Sequence, residues 1–149
     1  MSISEICNRE VIYARADEPA MEAVQLMRSH HVGDVVVVDE SSGQPLPVGI
    51  LTDRDIVLEV VAEWVSIETV TVGDIMSREI WTINQQQDLF TAVALMRDKG
   101  VRRLPVVNDG GGLEGLLTVD DVLELTAELL GDISGLIGRG QEREMRMRR

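Results

Sequence analysis

The sequence predicts an α/β fold of the α+β type, in which two similar β-α-β-β-α units pack through their sheets with pseudo-twofold symmetry. The first observation is an internal repeat. A shift of 69 residues aligns Ser4–Val38 with Gly73–Val107 without a gap, and eleven of the 35 aligned pairs are identical. The second is that each copy alternates short apolar runs with segments of helical periodicity. Since a unit of about 60 residues is marginal alone, we expect the copies to share one core.

The first copy is predicted to span residues 1–65. An apolar strand at Val11–Tyr13 comes first, and a helix then begins near Pro19, which suits a first helical position, and runs to His30. The continuous apolar run Val35–Val38 predicts a strand that is buried on both faces. A strand at Val48–Leu51 and a closing helix at Asp53–Val65 complete the copy.

The second copy is predicted to span residues 70–131, after a short joint. Its elements are a strand at Ile80–Ile83, a helix at Asp88–Lys99, strands at Leu104–Val107 and Leu113–Leu117, and a helix at Val119–Leu130. Gly100 and Gly131 stand directly after the two helices, where a left-handed glycine often ends a helix. Residues 132–149 form an Arg-rich C-terminal tail with no counterpart in the first copy.

Charge and composition exclude several classes of protein. The net charge is −12, which argues against a nucleic-acid-binding protein. No apolar run approaches the roughly 18 residues of a membrane span, and no secretory leader is apparent. A single cysteine, Cys7, excludes an internal disulfide and suits a cytoplasmic location. Residues 139–149 carry +3, so this tail is either a frayed, solvated terminus or a contact for an acidic partner, a membrane surface or RNA.

Each copy contains the pattern Gly-h-h-Thr-x-x-Asp, where h is apolar, at the junction of a strand and a helix. In one interpretation Thr52 and Asp55, like Thr118 and Asp121, form helix-capping boxes. In the other, the threonine donates to a phosphate and the carboxylate accepts hydrogen bonds from a ribose. Arg54 favours the second interpretation, because a cation in a first helical turn is otherwise disfavoured.

These repeated motifs, with "VGDIMSRE" at Val72–Glu79 and "VRRLPVV" at Val101–Val107, make the chain resemble a tandem pair of cystathionine-β-synthase (CBS) domains, a Bateman module. The resemblance covers roughly residues 3–131. It implies a stand-alone, non-catalytic regulatory module that binds an adenosine-containing ligand such as AMP, ADP, ATP, NAD or S-adenosylmethionine. That ligand is regulatory, and no cofactor is required.

The resemblance also implies that each site combines both copies, with the threonine binding phosphate and the aspartate binding ribose. The first site then contains Thr52, Asp55, Arg54, Ile50, Trp81, Val101, Arg102 and Arg103. The second contains Thr118, Asp121, Leu116, Ile12, Val32, Gly33 and Asp34. Since the first site gathers three arginines, we expect it to prefer phosphorylated ligands. The second is expected to bind weakly, to stay empty or to prefer a ligand without a phosphate tail. The alternative is that Arg102 and Arg103 pair with acidic residues of the surface.

Two other functions stay open: an interaction protein whose Thr-x-x-Asp motifs are only helix caps, and an enzyme that processes the nucleotide. No metal site is expected, because the adjacent His30 and His31 point apart on a helix. The apolar face Ile56, Val57, Val60, Val61 and Trp64 exceeds what one module buries, which predicts a homodimer. The signal is expected to pass to an unidentified effector protein.

Overall fold

A computed structural model describes residues 1–148, and Arg149 lies outside the described residues. The chain divides into two compact units, Met1–Leu117 and the residues from Thr118 onward.

The first copy of the repeat contains one short helix that the sequence did not predict. Its elements are α1 (Ile3–Ile6), β1 (Tyr13–Arg15), α2 (Ala20–His30), β2 (Asp34–Asp39), β3 (Leu46–Thr52) and α3 (Asp53–Ile56). Helix α2 begins directly after Pro19, as predicted, and ends at His31 in the left-handed conformation, with φ 54°. A π-helix (Val57–Val61) and a 3₁₀ turn (Ile67–Thr69) lead to the second copy.

The second copy repeats this order. It contains α4 (Val72–Ile75), β4 (Ile83–Asn84), α5 (Leu89–Lys99), β5 (Arg103–Val107), β6 (Leu113–Thr118) and α6 (Val119–Met147). Helix α5 ends at Gly100 with φ 67°, as predicted. At its other end the Asp88 carboxylate accepts a hydrogen bond from the Thr91 backbone N–H (2.8 Å), which lowers the pKa of Asp88 below its ordinary 3.8.

Each copy builds a three-stranded sheet, with orders β1-β2-β3 and β4-β5-β6. Strand β1 runs parallel to β2, and β2 runs antiparallel to β3 with a register shift between Val37 and Val38. Strand β4 runs parallel to β5. The residues Val35–Val38 are at most 1% exposed, so β2 is buried on both faces as its apolar run predicted. The predicted fold class is confirmed.

The opening segment of each copy is hydrogen-bonded to the other copy. The Ile3 backbone N–H donates to the Gln87 carbonyl, and the Val72 N–H donates to the Glu18 carbonyl, both at 2.9 Å. These two bonds are related by the 69-residue offset at donor and acceptor alike. Ile3 and Val72 are fully buried. The two copies are therefore joined by an exchange of equivalent segments that obeys the pseudo-twofold symmetry.

Two predicted strand boundaries are wrong. The strand predicted at Val11–Tyr13 lies at Tyr13–Arg15, and the strand predicted at Ile80–Ile83 lies at Ile83–Asn84. The reason is the register with the neighbouring strand, since Tyr13 is the first residue to pair with β2. In the second copy, Ile80 and Trp81 precede the strand and line a cavity instead.

The predicted closing helix of the first copy, Asp53–Val65, is wrong in its second half. Helix α3 passes at Val57 into the π-helix, whose wider turn lets the Ala62 N–H donate to the Val57 carbonyl (2.8 Å). Trp64 then takes φ 58°, the left-handed region, which ends the helical path.

The second unit consists mainly of α6, and the predicted stop at Gly131 is wrong. A glycine ends a helix by adopting a left-handed backbone, and the described glycines with positive φ are Gly43, Gly100 and Gly111. Apolar residues continue at helical spacing through Ile133, Leu136 and Ile137, which favours continuation of the helix even though each interior glycine of α6 costs about 1 kcal/mol. The expectation of a frayed terminus at residues 139–149 is likewise wrong as far as residue 147, because residues 139–147 are helical.

Candidate functional site

The first Thr-x-x-Asp motif forms a complete capping box at the end of β3. The Thr52 hydroxyl oxygen accepts a hydrogen bond from the Asp55 N–H (3.1 Å), and Oδ2 of Asp55 accepts one from the Thr52 N–H (2.9 Å). A hydroxyl keeps its own proton to donate when it accepts, and a carboxylate has a second oxygen. The box therefore leaves the Thr52 proton and Oδ1 of Asp55 available to a ligand.

The same box occurs elsewhere in the chain. Thr71 and Asp74 form it at the start of α4, with distances of 3.3 and 2.9 Å, and Thr118 and Asp121 form it at the start of α6, with 3.2 and 3.0 Å. Asp74 lines an adjoining pocket of about 270 Å³, which it shares with Asp55 and Ser77. The box alone therefore does not identify one of the three as a binding site. What distinguishes Thr52 and Asp55 is what lies opposite them.

The opening segment of the second copy lies against the end of β3. Ile50 and Ser77 exchange two backbone hydrogen bonds, of 3.0 and 2.9 Å. This bridge is close because Gly49 has no side chain: a Cβ there would lie 2.7 Å from Sδ of Met76 and 2.8 Å from the Ser77 carbonyl oxygen. The bridge places the residues after Ser77, including Trp81, beside the capping box.

A cavity of about 310 Å³ opens between these parts of the first unit. It is lined by Ile50, Thr52, Asp55, Ser77, Glu79, Ile80, Trp81, Gly100, Val101, Arg102 and Arg103. Seven of the eight residues predicted for the first site are among them. This volume lies at the lower end of the range of small-molecule pockets.

Four lining residues were not predicted: Ser77, Glu79, Ile80 and Gly100. Two of them adjoin predicted residues, since Ile80 precedes Trp81 and Gly100 precedes Val101. These two could have been found from the sequence, because each is next to a predicted residue. Ser77 and Glu79 line the cavity because the opening segment of the second copy lies against β3.

Arg54, the eighth predicted residue, is exposed and does not line the cavity. The first turn of α3 places it between Asp53 and Asp55, and Asp55 is the residue that faces the cavity.

The two arginines of the cavity differ in their surroundings. Arg103 forms an ion pair with Asp34, and their side chains are 38% and 16% exposed. Asp34 was predicted to belong to the second site, so the structure joins residues that were assigned to different sites. The two positions are equivalent under the 69-residue offset, and the pair links β2 of one sheet with β5 of the other. Arg102 is exposed at the cavity.

Trp81 is half-buried, and the Lys99 ammonium lies 4.2 Å from the centre of its ring. This cation–π contact fixes one position of the indole. The cavity thus combines an aromatic side chain and apolar residues with a small set of polar groups, the composition expected of a small-molecule site.

The predicted second site draws on both compact units. Thr118 and Asp121 belong to the second unit and form the capping box described above. In the first unit, Leu116 exchanges two backbone hydrogen bonds with Asn8 (2.9 and 3.0 Å), and the Gly33 carbonyl accepts one from the Asp53 N–H (2.9 Å). Ile12 and Val32 are half-buried. The assembly of this site stays a prediction.

Among residues 1–148, no three His, Cys, Asp or Glu side chains are grouped so that they could hold a metal ion. Within the same residues, no helix is both long and apolar enough to cross a bilayer.

Comparison with known proteins identifies relatives over most of the chain. The family model of the CBS domain matches residues 3–62 and again residues 72–128. An uncharacterized protein of Methanopyrus kandleri is 38% identical over 142 residues, which cover 95% of this chain and 71% of that protein.

Solved structures share the fold. A putative signal-transduction protein with CBS domains from Burkholderia ambifaria superposes with a TM-score of 0.72 at 26% identity, covering 85% of this chain and 93% of that one. A CBS domain pair solved in complex with 5′-methylthioadenosine and S-adenosyl-L-methionine superposes with a TM-score of 0.73 at 24% identity, covering 86% and 97%.

Proposed function

Since the chain belongs to the CBS domain family, we propose that it is a non-catalytic regulatory protein that binds an adenosine-containing ligand in the cavity beside Thr52 and Asp55. This ligand is AMP, ADP, ATP, NAD or S-adenosylmethionine. The observation that carries this proposal is the cavity itself, which brings the Thr-x-x-Asp motif of the first copy against Trp81 and Val101–Arg103 of the second.

The available groups suit the parts of such a ligand. Oδ1 of Asp55 accepts hydrogen bonds from the ribose hydroxyls, while the Thr52 hydroxyl donates its proton to a phosphate oxygen or another acceptor. Ile50, Trp81 and Val101 supply the apolar and aromatic surface that an adenine ring requires. The capping box orients Thr52 and Asp55 before the ligand arrives, which lowers the entropic cost of binding.

The charge of the cavity limits how strongly it attracts phosphate. Arg102 and Arg103 favour an anionic ligand, whereas Asp55 and Glu79 oppose it and Asp34 already pairs with Arg103. We therefore assign the main phosphate contact to Arg102. A phosphate that also binds Arg103 must compete with Asp34 for that guanidinium.

A regulatory role requires the ligand to favour one conformation of the protein over another. We place the protein in the cytoplasm as a homodimer that signals to an effector protein. The dimer is supported by exposed apolar residues after α3, among them Val57, Val61 and Trp64, the last of which is 95% exposed. The solved CBS domain pair that holds adenosyl ligands supports the ligand class at the level of the shared fold.

A second candidate function is an interaction protein whose Thr-x-x-Asp motifs act only as helix caps. The box at Thr71 and Asp74 favours this alternative, because it has the same geometry outside the cavity. Under this alternative no adenosine-containing ligand stabilises the protein.

A thermal-unfolding screen separates the two candidates. AMP, ADP, ATP, NAD, S-adenosylmethionine and adenosine are added to wild type, Asp55→Ala and Asp121→Ala. A ligand at 100 times its Kd stabilises the folded state by about 2.7 kcal/mol, which is readily visible. We expect at least one ligand to stabilise wild type and to lose this effect in Asp55→Ala. If none stabilises wild type, the interaction protein is favoured.

A further inference from the structure

Helix α6 carries a regular apolar face that is exposed along its length. Pairs of large apolar residues recur every seven positions: Val122–Leu123, Leu129–Leu130 and Leu136–Ile137. Ile133 lies between them on the same face. The six residues Leu123, Leu129, Leu130, Ile133, Leu136 and Ile137 are between 45% and 70% exposed. A seven-residue apolar repeat on a helix is the pattern of helix–helix pairing.

The charges of α6 are divided between its two halves. The first half is acidic and contains Asp120, Asp121, Glu124, Glu128 and Asp132. The second half is basic in net charge and contains Arg139, Arg143, Arg146 and Arg148 with Glu142 and Glu144. Arg148 pairs with Glu144 of its own helix at 2.7 Å, whereas Arg139, Arg143 and Arg146 form no ion pair with the described residues.

We propose that α6 pairs antiparallel with α6 of a second copy of this chain, with the two helices crossing at Ile133–Ser134. The antiparallel direction follows from the charges, because it sets the acidic half of each helix beside the basic half of the other. With this crossing point, Glu124 lies level with the partner's Arg143, and Glu128 lies level with the partner's Arg139. Asp121 likewise lies level with the partner's Arg146.

The apolar residues around the crossing point fit the same register as the charges, because Leu129–Leu130 and Leu136–Ile137 are placed symmetrically about Ile133. At a rise of 1.5 Å per residue, the 29 residues of α6 extend about 43 Å, so Val122–Leu123 lies further out, level with Met145 and Glu144 of the second copy. The contact is self-complementary, as a twofold homodimer requires. A parallel pair would instead place acid beside acid and arginine beside arginine over the whole length.

A second copy fits α6 better than an anionic membrane or RNA does. Arginines beside an apolar face suit either of those partners, but here the apolar face continues through the acidic half of the same helix. An anionic surface would repel that half, so it would bind only part of the face. A second copy covers the whole face and balances both halves. Residues 129–147 extend past the family match, which ends at residue 128.

Disulfide cross-linking tests the proposal in the full chain on a Cys7→Ala background. Ile133→Cys places a thiol at the crossing point, next to the same thiol of the partner. Leu123→Cys is the matched control on the same face, because in an antiparallel pair its partner thiol is about 32 Å away. We expect mild oxidation to convert Ile133→Cys, but not Leu123→Cys, to a covalent dimer. Cross-linking of both variants, or of neither, overturns the proposal.

Charge reversal gives a second, independent readout by light scattering of the full chain. In the proposed register, Glu124→Arg with Glu128→Arg sets arginines level with the partner's Arg143 and Arg139. Arg139→Glu with Arg143→Glu sets carboxylates level with the partner's Glu128 and Glu124. We expect each variant alone to associate through α6 at least tenfold more weakly than wild type and an equimolar mixture to recover association. A contact through the exposed residues after α3 is the same in wild type and both variants, so the difference between them reports on α6. A mixture that associates no better than its components contradicts the proposal. Association with phosphatidylserine vesicles or RNA, without self-association of wild type, overturns it in favour of that partner.

Discussion

Thr52 and Asp55 are engaged in the capping box and remain available for binding at the same time. The box uses the lone pair of the hydroxyl and one carboxylate oxygen, and a ligand uses the hydroxyl proton and the other oxygen. The two interpretations of the motif are therefore compatible at the level of atoms. What separates them is the residues facing the box, which differ between Asp55 and Asp74.

Arg102 and Arg54 offer a direct test of which arginine meets a phosphate. Arg102→Ala is expected to weaken AMP binding about tenfold, since a charge-assisted hydrogen bond contributes roughly 1.5 kcal/mol, and to leave adenosine binding unchanged. Arg54→Ala removes the same charge outside the cavity and is expected to change neither affinity. Isothermal titration calorimetry measures both ligands.

If Arg54→Ala weakened AMP binding as much as Arg102→Ala, the claim that Arg54 lies outside the binding site would be contradicted. The arginine of the first helical turn would then belong to the site, as the sequence predicts.

At the scale of the elements, the exchange of the opening segments assembles the cavity. The bridge between Ile50 and Ser77 depends on the absence of a side chain at Gly49. Gly115 occupies the equivalent position of the second copy, where a Cβ would lie 2.6 Å from Sγ of Cys7 and 2.9 Å from the Asn8 carbonyl oxygen. The glycine of each Gly-h-h-Thr-x-x-Asp motif thus serves packing between the copies.

Gly49→Ala is expected to destabilise the protein by about 1–3 kcal/mol, because the new methyl group overpacks against Met76 and the Ser77 backbone. The loss is measured by urea unfolding of the full chain. A free energy of unfolding equal to that of wild type would show that Ser77 does not approach β3 as closely as described.

Gly131→Ala is expected to have the opposite effect. Gly131 is interior to α6, and no neighbouring atom lies within 4 Å of a Cβ added there. Alanine should raise helix stability by up to about 1 kcal/mol, because it loses less backbone entropy than glycine. Far-UV circular dichroism during thermal unfolding follows the change. Destabilisation would indicate a left-handed Gly131, the helix end that the sequence predicts.

The sequence allowed the repeated fold and most of the candidate site to be predicted, because the 69-residue repeat relates elements and motifs in register. The helix boundaries were harder to predict. Glycine is compatible with both a helix end and a helix interior, so only the apolar spacing after Gly131 indicates that the helix continues through it. Nothing in the pattern of Val57–Trp64 predicts a π-helix. The ion pair of Arg103 with Asp34 depends on how the two sheets meet, which periodicity does not show.

At the scale of the whole molecule, the opening segment of each copy is hydrogen-bonded to the other copy. The cavity is consequently lined by residues of both copies. Its polar groups differ from those at equivalent positions, since Arg102 and Arg103 correspond to Gly33 and Asp34. The pseudo-symmetry of the backbone therefore does not extend to the chemistry of the two predicted sites. Of the three arginines on which a phosphate-binding first site was predicted, Arg54 lies outside the cavity and Arg103 pairs with Asp34, so the preference of the first site for phosphorylated ligands stays a prediction.

The most direct test of the central claim compares Asp55→Asn with Asp74→Asn by calorimetric titration of the ligand that stabilises wild type most in the thermal screen. Both substitutions weaken a capping box of the same geometry, so both should cost a similar free energy of unfolding, about 1 kcal/mol. We expect Asp55→Asn to weaken binding at least tenfold and Asp74→Asn to bind as wild type does. Equal affinities in the two variants would contradict the claim that Asp55 binds the ligand.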